Sequence, residues 1–120
     1  MGNINSYKDL DIWKLGVDIS VDIYKLTDHF PKAERFGLIS QLRRASVSVP
    51  ANISEGWGRH STKSYVLFLK QARGSLYEIE TELIISNRIG FCDENPEELF
   101  NKIIVLSKMI NALIKKLNII

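Results

Sequence analysis

The chain has a single cysteine, Cys92, among 120 residues. No disulfide can form within it, and no zinc site can be built from cysteines. That scarcity fits a reducing compartment. Proline is nearly as scarce: only Pro31, Pro50 and Pro96 interrupt the chain, which leaves long stretches free to be helical. No apolar run reaches the roughly 18 residues that a membrane span needs. Met1 to Lys8 is polar and mixed, unlike the basic-then-apolar order of a secretion leader. A cytoplasmic protein with no membrane partner is therefore expected. The histidines, His29 and His60, stand far apart, outside any metal-ligand spacing such as H-x-x-x-H. No alternating strand pattern precedes a glycine-rich phosphate loop. The expectation is no metal, no cofactor, no catalytic residue and no enzyme.

What the chain does have is apolar residues at helical spacing. Composition is ordinary for one soluble domain, 45% hydrophobic and 25% charged. Two apolar rows lie side by side over residues 9–28: Leu10, Trp13, Val17, Val21 and Tyr24, then Ile12, Leu15, Ile19, Ile23 and Leu26. Both repeat at steps of three and four, which is helical. Met1 to Lys8 reads as a frayed or extended lead-in. Leu38, Leu42, Ala45, Val49 and Ile53, with Ile39 and Ser46, predict a second helix over 33–57. Pro50 lies inside it and either kinks it or ends it at Val49; the kink is favoured because Ile53 stays in register. Gly56 and Gly58 read as its C-terminal glycines.

Ser61 or Thr62 can cap a third helix over 61–89, with the seam Tyr65, Phe68, Ala72, Leu76, Ile79, Leu83 and Ser86. Gly74 falls mid-helix, at a cost of about 1 kcal/mol against alanine. Close approach by a neighbouring helix is the simplest reason for it. Asp93 to Asn95 reads as a turn, with Asn95 as the cap of a fourth helix over 96–117. That helix carries Leu99, Ile103, Leu106, Ile110, Leu113 and Leu117. Four such helices make an all-α, antiparallel up-down-up-down four-helix bundle. Apolar surface beyond one stripe on the first and fourth helices predicts self-association.

Charge is unevenly spread. Between Lys32 and Arg73 stand eight basic residues (Lys32, Arg35, Arg43, Arg44, Arg59, Lys63, Lys70 and Arg73) against Glu34 and Glu55 alone. Both flanks are net acidic. A basic centre of this kind is an argument about anionic partners.

The stretch Gln41-Leu42-Arg43-Arg44-Ala45-Ser46-Val47-Ser48-Val49-Pro50-Ala51-Asn52-Ile53-Ser54-Glu55-Gly56 resembles the signature of the four-helix-bundle proteins encoded by intervening sequences of bacterial 23S ribosomal RNA genes. The likeness extends to Leu10-x-x-Trp13, Pro31-x-x-Glu34-x-x-Gly37-Leu38, Arg59, Phe68-Leu69, Gly74-Ser75-Leu76-x-Glu78-x-Glu80 and the Leu-rich close. Ser46 and Ser54 stand where alanine is usual. The resemblance implies a ring-like homo-oligomer, a homopentamer as in the related accessory proteins of diversity-generating retroelements. Those relatives are basic and bind nucleic acid.

The candidate nucleic-acid-binding residues are Arg43, Arg44, Arg59, His60, Lys63, Lys70 and Arg73. Arg43 and Arg44 point about 100° apart on a helix, so one can contact phosphate while the other forms an ion pair, within the bundle to Glu78, Glu80 or Glu82 or across a subunit boundary. Lys63 and Lys70, seven apart, are nearly eclipsed, and Arg73 lies on the next shoulder. With Arg59 and His60 they form either a phosphate-binding strip or an ordinary solvated face. Trp57 and Tyr65 are stacking surfaces for unpaired bases or, more commonly, packing residues. Two functions follow: a non-enzymatic oligomeric scaffold that binds RNA or DNA backbone, or a protein–protein adaptor whose arginines become buried between subunits. A third reading is a nuclease, which requires metal-dependent or His60-dependent cleavage.

Overall fold

The computed structural model describes residues 3–92 and 96–118. The described residues hold four α-helices and no β-strand: α1, Asp11–Thr27; α2, Leu38–Gly58; α3, Thr62–Arg88; and α4, Glu97–Asn118. The body measures 46 × 24 × 23 Å, and its length follows from α3, whose 27 residues span about 40 Å at 1.5 Å each. α1 touches α2 and α4, α3 touches the same two, and neither diagonal pair comes close. Contacts pair Gly16 with Pro50, Ser20 with Ser46 and Thr27 with Arg43. Between α2 and α3 they pair Gly56 with Phe68 and Ser48 with Ser75. Numbers that rise along one helix meet numbers that fall along the next.

In such a square each helix can bury one stripe. Ile19 and Ile23 of α1, Leu42, Val49 and Ile53 of α2, Leu69, Leu76, Ile79 and Leu83 of α3, and Ile103, Leu106 and Ile110 of α4 are under 2% exposed. Burying one such side chain is worth roughly 1.5–3 kcal/mol. Of the two apolar rows on α1, the one through Ile12, Ile19 and Ile23 goes inward. Val21 and Tyr24 of the other stay exposed. Asp22 of α1 meets Lys102 of α4 at 2.7 Å, closing the square.

The element ends follow from local chemistry. Instead of a frayed lead-in, Tyr7–Asp9 forms a 3-10 turn. Ser6 and Asp9 close a capping box around it, and the Tyr7 ring meets Trp13 edge-on at 5.4 Å. α2 begins at Leu38, later than expected, because Lys32–Glu34 makes its own 3-10 turn. The Glu34 carboxylate then accepts the Leu38 N–H at 3.2 Å, satisfying an amide that the first turn leaves free. α2 runs unbroken through Pro50, so ending at Val49 does not occur. Ser61 caps α3, its hydroxyl accepting the Ser64 N–H. The expected turn at Asp93 to Asn95, with Asn95 as cap, lies outside the described residues.

Two glycines differ from expectation. A Cβ on Gly74 would meet nothing within 4 Å among the described residues, so no helix of the same chain approaches there. Gly56 is the close approach: it is buried inside α2, and an added Cβ would lie 2.6 Å from the Phe68 Cβ. The left-handed residue at the α2–α3 corner is His60, with φ 56°.

Candidate nucleic-acid interface

Arg43 is a fastener between helices. Its Nε donates to the Thr27 hydroxyl at 2.9 Å. Nη2 donates to Asp28 Oδ1 at 2.9 Å and to the Tyr24 carbonyl at 3.4 Å. The guanidinium stands 4.6 Å from the centre of the Tyr24 ring. A cation is thereby held at the C-terminus of α1, where the helix dipole is negative. The expected pairing of Arg43 or Arg44 with Glu78, Glu80 or Glu82 is absent among the described residues. Arg43 turns to α1 instead, and Arg44, one position on, is exposed with no ion pair or hydrogen bond among the described residues.

The other candidates lie on and around α3. Arg59 at the corner donates to Glu55 at 2.7 Å, both side chains 54% exposed, and its guanidinium lies 5.3 Å from the Phe68 ring centre. His60 rests against Trp57, ring centres 6.1 Å apart. Lys63 and Lys70 line one open cavity of about 410 Å³, shared with Ser64, Val66, Leu67 and Asn118. Neither lysine has an ion-pair or hydrogen-bond partner among the described residues. Arg73 donates to Asn111 of α4 at 2.9 Å. The fold thus joins Lys63 and Lys70 on the α4 side of α3, places Arg73 on that side too, and leaves Arg43 on the α1 side of α2.

The sequence offers Glu82 only as a partner for Arg43 or Arg44; its burial is the new feature. Glu82 is 6% exposed, and its Oε1 has no hydrogen-bond partner among the described residues. Burial first, then the neighbouring charge of Glu78, push the Glu82 carboxyl up to about 7. Its signal was spacing: Glu82 stands three residues after Ile79 and four before Ser86, both buried. No group of three or more His, Cys, Asp or Glu among the described residues is placed to hold a metal ion. No described helix is long and apolar enough to cross a membrane.

The segment carrying the family resemblance is used for packing. Leu42, Ala45, Val49 and Ile53 are core. Ser46 bonds to Ser20 at 3.1 Å and donates to the Arg43 carbonyl at 2.9 Å. Pro50 abuts Gly16, where a Cβ would touch it at 3.4 Å. Asn52 donates to the Ser48 carbonyl, and Ser48 bonds to Ser75 at 2.7 Å. Residues 8–112 match the family described as 23S rRNA-intervening sequence protein. The chain belongs to that family. A solved structure from Bacteroides thetaiotaomicron, described as a protein of unknown function from the S23 ribosomal protein family, shares the fold. Its TM-score is 0.76 at 23% identity, over 87% of this chain and 98% of that one. No curated protein matches. Packing accounts for the motif: its residues hold three helices together, and the cations without a partner among the described residues lie mostly outside it.

Proposed function

We propose that this family member is a non-enzymatic, cytoplasmic, homo-oligomeric scaffold that binds the backbone of RNA or DNA through a basic surface on α2 and α3. The observation that carries the reading is the unpartnered pair Lys63 and Lys70 around one cavity, in a stretch from Gly56 to Tyr77 with no acidic residue. Phosphate chains reward such a surface by releasing counterions, so binding is salt-sensitive and largely independent of sequence. The subunit is proposed as an antiparallel up-down-up-down bundle, supported by the opposed order of its helix contacts. Assembly into a ring, a homopentamer by family resemblance, is supported by exposed apolar residues on α1 and α4, among them Val21, Tyr24, Ile104 and Val105.

The test is fluorescence anisotropy with a structured RNA and a matched DNA duplex at low and moderate salt. Tight binding that falls steeply with salt supports the reading, and a difference between the two names the preferred polymer. No binding at low salt sinks it. The second reading, a protein–protein adaptor, is favoured by Phe36, 89% exposed, and by Arg43, Arg59 and Arg73 being already bonded within the chain.

A further inference from the structure

The corner between α2 and α3 holds a cavity of about 270 Å³ lined by Gly56, Trp57, His60, Ser61, Thr62 and Tyr65. It is smaller than the roughly 300–1,000 Å³ that drug-sized ligands occupy, a size for one flat ring system. Three of its six lining residues are aromatic, three carry hydroxyls (Ser61, Thr62 and Tyr65), and none is acidic. The Trp57 and His60 rings are inclined at 57°, so neither covers the face of the other. Tyr65 is half-buried, and burial raises its phenol above the ordinary value. Its hydroxyl has no hydrogen-bond partner among the described residues.

One lining residue has an unusual backbone. His60 sits at φ 56°, a region that non-glycine residues enter at a cost and that clusters at functional sites. The glycine one turn before it, Gly56, lets Tyr65 come close enough to form part of the cavity wall. The polar surroundings are cationic: Arg59 adjoins His60, Lys63 follows Thr62, and the first turn of α3 has no acidic residue.

We infer that this corner is a stacking pocket for one unpaired base of a nucleic-acid strand whose phosphates run over the basic surface of α3. The inference rests on the nucleic-acid reading above and narrows it to strands with an unstacked base. Every base has a π-face, so stacking on Trp57 adds affinity without sequence preference. The Tyr65, Ser61 and Thr62 hydroxyls supply donors and acceptors for the base edge.

The experiment compares a labelled single strand with an abasic strand of the same length and phosphate count, binding to the full chain by anisotropy. The base-bearing strand should bind about tenfold tighter, the scale of one stacked base. Trp57→Ala should abolish that preference while leaving the abasic strand's affinity unchanged. Equal binding of the two strands overturns the pocket and leaves backbone binding standing. A preference that persists in folded Trp57→Ala also overturns it. Binding of neither strand overturns both readings. Trp13→Phe keeps Trp57 as the sole indole and gives an independent measure: the base-bearing strand should quench its fluorescence and the abasic strand should not. Absence of quenching by a bound base-bearing strand overturns the pocket.

Discussion

A Cβ placed on Gly56 would lie 2.6 Å from the Phe68 Cβ and 3.2 Å from the Tyr65 ring. The distance sets how closely α2 and α3 pack at the end where their corner forms. The atom in the way belongs to the stem of a side chain and cannot swing aside, so the helices themselves must part. Gly56→Ala should therefore destabilise the fold by about 1–3 kcal/mol, as overpacking does. The shift in urea midpoint measures it. An alanine variant as stable as the parent would mean that the helices separate at no cost.

Gly74 makes the opposite case. It is mid-helix in α3, exposed, with open space where a Cβ would go. Alanine there gains helix propensity and loses nothing, so Gly74→Ala should stabilise by about 1 kcal/mol. A rise in thermal midpoint checks this, and a fall would point to a neighbour that the single chain does not contain.

These glycines show where the sequence was informative and where it was not. Periodicity named the core of α2 and most of α4, because a bundle buries whichever stripe repeats at three and four. It could not choose between the two apolar rows of α1, since both had the right period; only the position of α2 and α4 decides that Ile19 goes inside and Val21 outside. A glycine for packing and a glycine with no contact look alike in sequence. So do an arginine that reaches a helix end and one that reaches solvent, as Arg43 and Arg44 show. The α2 start was misplaced because Glu34 caps Leu38 from a separate turn, a signal spread across four residues.

Arg43 should behave as a structural residue. Its guanidinium joins the end of α1 to α2 through Thr27, Tyr24 and Asp28. The ion pair itself is partly exposed, Arg43 28% and Asp28 74%, and contributes little alone. The hydrogen bonds at the helix end contribute more. Arg43→Ala should cost about 1–2 kcal/mol in urea unfolding, whereas Arg44→Ala should stay within about 0.5 kcal/mol. Neither the affinity of folded Arg43→Ala for nucleic acid nor its salt slope should change. A weakened slope would return Arg43 to the phosphate contacts.

Glu82 should make stability depend on pH. Its carboxyl titrates near 7 in the fold, against an ordinary value of 4.5. Between those values the folded chain holds a proton that the unfolded chain has released. Raising the pH through this window therefore lowers stability, and the loss is complete above about 7. Glu82→Gln keeps the shape without the charge, so it should flatten this part of the pH profile. At pH 8 it should stabilise by about 2 kcal/mol. Chemical denaturation at pH 5 and pH 8 measures both effects. If the variant keeps the wild-type pH dependence, Glu82 is not the group responsible.

The two lysines on one cavity give the sharpest test of the proposed surface. Lys63 and Lys70 are exposed and bonded to nothing among the described residues, so reversing their charge should not disturb the core. Surface changes of this kind usually stay within about 0.5 kcal/mol. On a duplex, each phosphate contact contributes about 0.9 to the slope of log affinity against log salt. The double variant Lys63→Glu, Lys70→Glu should therefore flatten the slope by about two units and weaken binding at low salt by at least about tenfold. The measurement is anisotropy at three or more salt concentrations, with the helical circular-dichroism signal as a check on folding. A folded double variant with unchanged affinity and slope would place any nucleic acid on another face. In that case the unpaired cations of α3 would be left for a protein partner, and the adaptor would become the better reading.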